Sequence, residues 1–273
     1  MAFIREFNAT QIQKMTNGAN AELFAKLKAD VFRGKVFPAV RKNELHFYYK
    51  GGCLYKFSGG LFKRDNNYER YGGDTEGLSD YETFKNQVRH RYADSNGKAM
   101  ERQLLDGLYS YTYGAQCKSN VVVLDIEINL NGAVGGGKKC DMVLLNTQTD
   151  EIMFVEGKVF SDSRVLVAIP FIPEVVAQVS TYTAAIVEQR QVIIEQYANH
   201  IQIVNRLFGT SYRPSKKLIE PAKLLTYNTP KCPTENGTYS IDKINRGLGS
   251  NNVLWVEQNY NPTLDVIWRS LAL

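Results

Sequence analysis

The chain has 273 residues, 44% hydrophobic and 22% charged, with 33 Lys+Arg against 28 Asp+Glu for a net charge of +5. That length suits one large domain or two modest ones of ~100–200 residues, and the composition excludes a disordered acidic tail, a collagen-like repeat and a low-complexity scaffold. The basic surplus is compatible with a polyanionic partner, yet smaller than a nucleic-acid binder relying on electrostatics alone would carry.

In chain order, residues 19–33 place Leu23, Phe24, Leu27 and Val31 at helical spacing, and Gly34 ends the run. From 36 to 63, short aromatic and β-branched runs separated by Lys50-Gly51-Gly52 and Ser58-Gly59-Gly60 predict two or three antiparallel strands. Residues 64–80 are polar and turn-rich and read as a linker or loop; 79–92 read as a helix with Ser79 as N-cap and Glu82 at the capping-box position. A helix over 98–114 carries Met100, Leu104, Leu105 and Leu108 on one stripe. Three strands follow, at 120–130, 140–146 and 151–160, the last two joined by the turn Thr147-Gln148-Thr149-Asp150. A long helix is expected from about 173 to 206, then strands at 222–228 and 253–258 and a final helix or strand from 264. These elements predict an α/β protein: an accessory region over 1–93, built of a helix and short antiparallel strands, and a second region over 94–273 with a mixed sheet flanked by helices.

Cys53, Cys117, Cys140 and Cys232 stand alone, without zinc-finger, iron–sulfur or C-x-x-C spacing, which points to reduced, packed thiols. The first eighteen residues lack a continuous apolar stretch, and no later window approaches ~18–20 apolar residues. The expectation is a soluble, cytoplasmic protein with no membrane partner.

Gly132–Lys138 matches a phosphate-loop pattern up to its lysine, but the next position is Lys139 where a hydroxyl should hold magnesium, and an apolar strand follows where a helix should supply anion-binding amides. A glycine-rich β-connection is the better reading. A stronger candidate is Asp141, at the start of one predicted strand, with Glu156-Gly157-Lys158 in the next. Alternation puts Glu156 and Lys158 on one face, and the hairpin brings Asp141 beside them. Two carboxylates suit a hard divalent cation such as Mg²⁺ or Mn²⁺, which polarises a phosphate and acidifies water, while the ammonium orients that water and offsets charge on the phosphorane-like transition state. Glu156 also interrupts the apolar run Ile152–Val155, where a carboxylate is costly unless paired or metal-bound. The competing reading is an ordinary edge hairpin with an exposed Glu/Lys pair. Gln178 and Tyr182, four apart on the following helix, can look over the same sheet edge. Glu101, on the preceding helix, is a candidate third carboxylate. Asp125 and Glu127 form an alternative acidic pair, with Glu127 a second-rank ligand.

The order helix with Glu101, strand, strand opening at Asp141, strand with Glu156-x-Lys158, helix with Gln178-x-x-x-Tyr182, strand resembles the PD-(D/E)XK nuclease superfamily. The Gln-x-x-x-Tyr element is similar to its RecB-like branch. The resemblance covers about 98–228; Cys140 stands where the family name has proline, and neither an iron–sulfur cysteine set nor a helicase motif is present. It implies a restriction-endonuclease-like core and a Mg²⁺- or Mn²⁺-dependent nuclease, with nucleic acid as partner and DNA rather than RNA as the expected substrate. Asp141 and Glu156 would be metal ligands, aided by the Gly157 carbonyl and supported by Glu101. Lys158 would position water, and Gln178 and Tyr182 would orient substrate or Lys158. The alternative is a non-catalytic nucleic-acid-binding or regulatory protein on a nuclease-like fold. Oligomeric state is left open, with a homodimer among the options.

Basic residues Arg41, Lys42, Lys50, Lys56, Lys63 and Arg64 interleave with Phe47, Tyr48, Tyr49, Tyr55, Phe57 and Phe62, a composition suited to phosphate contacts and base stacking. Half of these aromatics must nevertheless pack a core, because strands alternate.

Overall fold

The structure, a computed structural model, describes residues 3–64, 81–93, 98–109, 112–113, 119–130 and 139–272, with the side chains of 90–100 and 102 left aside. The chain divides into two compact units. The first comprises 1–3, 119–195 and 215–273, and the second 4–118 and 196–214. The region over 1–93 expected to be accessory falls in the second unit from residue 4 onward.

The second unit is built on a four-stranded antiparallel meander: β1 (Phe37–Arg41), β2 (Glu44–Tyr49), β3 (Gly52–Ser58) and β4 (Leu61–Arg64). Four strands form where two or three were expected. In β2, Leu45, Phe47 and Tyr49 point inward, while Glu44, His46 and Tyr48 are half-buried, as in a sheet with one face on a core. Helices α1 (Ala9–Thr16), α2 (Ala21–Phe32), α3 (Tyr81–Ala93) and α4 (Lys98–Tyr109) complete the described part before residue 110. Helix α1 was missed in the sequence. Its signal is Asn8, whose side chain caps the helix by accepting from the Gln11 amide at 2.9 Å. The expected cap Ser79 and the linker residues 65–80 lie outside the described residues.

The first unit holds a mixed five-stranded sheet in the order β5 (Val121–Ile128), β6 (Cys140–Asn146), β7 (Glu151–Val159), β8 (Lys217–Thr229) and β9 (Val253–Glu257). The first three strands run antiparallel; β8 and β9 each pair in parallel with the strand before. Central strands β6 and β7 are buried almost throughout, the pattern of strands covered on both faces, and each large apolar side chain so enclosed contributes about 1.5–3 kcal/mol. Strand β6 follows residue 139 directly, so a strand and not a helix succeeds the glycine-rich segment, whose residues 132–138 lie outside the described set.

The long helix expected over 173–206 is two: α5 (Glu174–Glu188) and α6 (Arg190–Phe208). Gln189 leaves helical geometry at φ −107° and ψ 15°, and its side chain donates to the Leu130 carbonyl at 3.1 Å. Glu188–Gln191 offer no apolar side chain to continue the buried stripe. Helix α7 (Glu235–Leu248), capped by Thr234, was not anticipated, and the tail resolves as helix α8 (Leu264–Leu271), capped by Thr263. Helix α5 packs on β8 and on α7. At Gly247 of α7 a Cβ would lie 2.6 Å from Val176 Cγ1 of α5, so only glycine permits this approach. No described helix is long and apolar enough to cross a membrane.

Candidate active site

The site lies in the first unit, where β6, β7 and α5 meet. The pairing Met142↔Val155 brings Asp141 level with Glu156 on neighbouring antiparallel strands, and opposed residues share a face. The flanking pairs Ile126↔Met142 and Ile128↔Cys140 put Glu127 of β5 in the same row. Three carboxylate-bearing positions therefore cross the sheet side by side, with Lys158 two residues along β7 on that face.

The Lys158 ammonium occupies the centre. Its Nζ donates to Glu156 Oε1 at 2.6 Å and to the Gly157 carbonyl at 2.7 Å, and lies 3.6 Å from Asp141 Oδ2. Asp141 Oδ2 in turn accepts from the Gly157 amide at 2.8 Å. Lys158 and Glu156 are 2% and 1% exposed and Asp141 16%, so one positive and two negative side chains share a largely dry place. Burial pushes the Asp141 carboxyl above the usual range, a shift that the Lys158 charge and the Gly157 amide oppose and the Glu127 charge reinforces.

Helix α5 closes the site from above. Gln178 Nε2 donates to Glu156 Oε1 at 2.6 Å and to the Tyr182 hydroxyl at 2.9 Å, which donates to the Lys139 carbonyl at 2.9 Å. The chain of bonds from Lys139 through Tyr182 and Gln178 to Glu156 fixes one carboxylate oxygen. Burial, followed by the Glu156 charge, holds the Tyr182 hydroxyl far above its ordinary pKa, so it remains a proton donor. Gln178 Oε1 is buried with no hydrogen-bond partner among the described residues, an acceptor left open beside the carboxylates. Cys140 is no nucleophile: burial and the neighbouring Glu156 and Asp141 charges push its thiol pKa well up.

Asp141, Glu156, Lys158, Gln178 and Tyr182 thus converge. Glu101 lies on α4 in the other unit, and among the described residues no group of three or more His, Cys, Asp or Glu could hold a metal ion. Nor is the Glu156/Lys158 pair the exposed edge hairpin of the competing reading. β7 is the middle strand of five, and both side chains are enclosed. Asp125 is also buried, its carboxylate accepting from the Ile126 amide at 2.8 Å. Glu127 sits at φ +54°, a left-handed conformation that costs a side-chain-bearing residue about 1–2 kcal/mol, and it pairs with Lys139 at 3.3 Å.

Sequence reasoning missed Asp162 and Arg164, just past β7. The Arg164 guanidinium clasps the Asp162 carboxylate, and its charge reaches Asp141. An Asp-x-Arg step soon after the strand bearing Glu156 and Lys158 was the available signal. The oxygen set of Asp141, Glu156 and the Gly157 carbonyl suits a hard divalent cation, and the ammonium hydrogen-bonded to two of those oxygens and 3.6 Å from the third shows that the place accepts positive charge. No family model, no curated protein and no solved structure matches the chain.

In the second unit, Phe47, Tyr49, Tyr55 and Phe57 are buried in the meander's core, leaving Tyr48 and Phe62 half-buried. Most of the aromatics interleaved with basic residues therefore pack the interior.

Proposed function

We propose that the first unit is a divalent-metal-dependent phosphodiesterase centre of the PD-(D/E)XK kind, and that the protein is a nuclease with DNA as the first substrate to test. The observation that carries this reading is the Lys158 ammonium, hydrogen-bonded to Glu156 Oε1 and the Gly157 carbonyl and ion-paired with Asp141 Oδ2 at 3.6 Å, the three oxygens that a metal would use. The order β5–β6–β7 meander, α5, then β8 parallel to β7 supports a restriction-endonuclease-like core.

Asp141 and Glu156 would hold Mg²⁺ or Mn²⁺, with the Gly157 carbonyl as a further ligand. The bound metal would polarise the scissile phosphate and acidify water. Gln178, anchored by Tyr182, would keep Glu156 in place as a ligand for the cation. Lys158 would then hold the attacking water through its Nζ. That water's oxygen forms the new bond to phosphorus, the bond to the leaving oxygen breaks, and a proton passes to that oxygen. The ammonium also offsets negative charge as it builds on the phosphoryl oxygens. Glu101, in the other unit, is not required by this scheme.

A second reading has an observation of its own: an ammonium closed onto the buried Glu156 and the half-buried Asp141 is also what a structural ion pair looks like, and it fits the alternative of a non-catalytic nucleic-acid-binding or regulatory protein on a nuclease-like fold. The test is hydrolysis of bis(4-nitrophenyl) phosphate and of single- and double-stranded DNA with Mg²⁺ or Mn²⁺, run beside Glu156→Ala. Metal-dependent turnover lost in the variant supports the centre. No turnover with either metal moves the second reading ahead.

A further inference from the structure

Most large apolar side chains of the described chain are enclosed, but Ile169, Phe171 and Ile172 stand 44%, 67% and 69% exposed within four residues. They form the tip of the connection between β7 and α5. That connection starts beside the site, where the Arg164 charge reaches Asp141 and the Lys158 charge reaches Asp162. It returns there too, because the Val175 amide donates to the Arg164 carbonyl at 3.0 Å, one helical turn before Gln178.

The tip is braced rather than loose. Along its length, the Val167 amide donates to Ser240 Oγ at 3.1 Å, the Ile169 amide to Asn236 Oδ1 at 3.3 Å, and the Tyr239 hydroxyl to the Pro170 carbonyl at 2.8 Å. All three braces come from α7, and a fourth bond, Phe171 amide to Ala168 carbonyl at 2.9 Å, closes the turn within the tip. Water would drive these side chains back onto the protein unless something held them out. The Tyr239 that donates to the Pro170 carbonyl is half-buried, and the Lys243 ammonium lies 5.2 Å from the centre of its ring.

We propose that this braced tip is a stacking surface for the unpaired bases of a nucleic-acid strand, so that the centre acts on single-stranded or frayed substrate. The proposal rests on the phosphodiesterase reading and adds the substrate class. An exposed phenyl ring flanked by apolar side chains, with a tyrosine and a lysine on the bracing helix, is what base stacking with phosphate contact uses, and it tolerates any sequence because every base has a π-face. Size argues against a protein partner. The three side chains together offer on the order of 300 Å², whereas a stable protein interface buries about 800 Å² on each partner. A few stacked bases fit that area.

The test separates this proposal from the reading beneath it. Binding of a fluorescein-labelled 20-nucleotide single strand of mixed sequence, and of the matching blunt duplex, is followed by anisotropy in EDTA, where no cleavage occurs. The expected result is a single-strand preference in the wild type and a loss of about tenfold or more in single-strand affinity for Phe171→Ser/Ile172→Ser, with duplex affinity nearly unchanged. A 2-aminopurine in the strand should report stacking through quenching that the variant abolishes. A wild type that binds neither probe, prefers duplex, or loses nothing in the variant overturns the proposal. So does sedimentation showing a wild-type dimer that the variant converts to monomer with unchanged strand affinity, which would assign the surface to a second copy. Failure of wild-type bis(4-nitrophenyl) phosphate hydrolysis sinks the catalytic reading by itself and leaves the binding result to be judged separately.

Discussion

Each unit buries a lysine against acids and a tyrosine, and the two clusters differ in one respect that separates architecture from chemistry. In the second unit, Lys85 of α3 bonds Asp30 of α2, Tyr81 also donates to Asp30 at 2.9 Å, and Lys85 reaches Glu82 at 3.0 Å. Glu82 is 72% exposed, so the buried part is one cation with one anion, a balanced pair. Burial works against the Lys85 ammonium, but its bonds to Asp30 and Glu82 win and raise its pKa. In the first unit, one ammonium faces the enclosed Glu156 and the half-buried Asp141. That place carries more negative than positive charge on its own side chains, and burial holds the Asp141 carboxyl above its usual range. A proton on Asp141 or a second cation removes the surplus. Buried lysine pairs are therefore informative through their charge balance, not through their burial.

The largest expected effect that would break the comparison is on turnover. Lys158→Ala should lower phosphodiester cleavage by about a hundredfold to a thousandfold, the worth of one oriented charge. A Lys158→Ala protein that cuts like the wild type would show the ammonium to be structural, as Lys85 is. On stability the expectation is reversed in emphasis: Lys85→Ala strands Asp30 and should cost about 3–5 kcal/mol in urea unfolding, whereas Lys158→Ala relieves part of its own loss by letting Asp141 take a proton. Equal losses would erase the distinction.

Metal should sharpen it further. Saturating Mn²⁺ at about a hundred times its dissociation constant should stabilise the wild type by about 2.7 kcal/mol, read as a rise in melting temperature, and Glu156→Ala should abolish the rise. The sign with pH follows from Asp141. Its raised folded-state pKa gives stability that is present below the ordinary carboxylate value and is lost as pH climbs through the elevated one, while Mn²⁺ competes with that same proton. The Mn²⁺-induced rise should therefore grow with pH. A rise that is flat with pH would mean that the cation binds elsewhere.

A further expected effect concerns His46 in the second unit. Burial, and after it the Arg41 charge against the opposing bond to Glu44, takes its pKa from 6.5 down to about 4. A depressed pKa gives stability present above the unfolded value and lost as pH falls through the folded one. Between about pH 6.5 and pH 4 the wild type should lose up to about 3 kcal/mol that His46→Gln does not lose. Urea titrations at the two ends of that window measure it.

The parts legible in the sequence were those set by short-range periodicity. Alternation placed Glu156 and Lys158 on one face, the turn at 147–150 set Asp141 beside them, and a four-residue step put Gln178 and Tyr182 together on α5. The parts that stayed hidden depend on partners distant in the chain. Strand β8 begins at Lys217, well before the expected 222, because its early residues pair with Glu151–Met153 of β7. Helix α7 has modest apolar content and is held by α5 and β9. Glu101 was placed by order along the chain alone, and it lies on α4 in the other unit.

The missing carbon at Gly247 has a mechanical consequence. Helix α5 carries Gln178, which aims Glu156, and α7 carries Asn236, Tyr239 and Ser240, which brace the exposed tip. Those two helices touch where Gly247 meets Val176, so a single clearance sets the position of both. A methyl group inserted there acts as a shim, displacing the aiming helix and the bracing helix together.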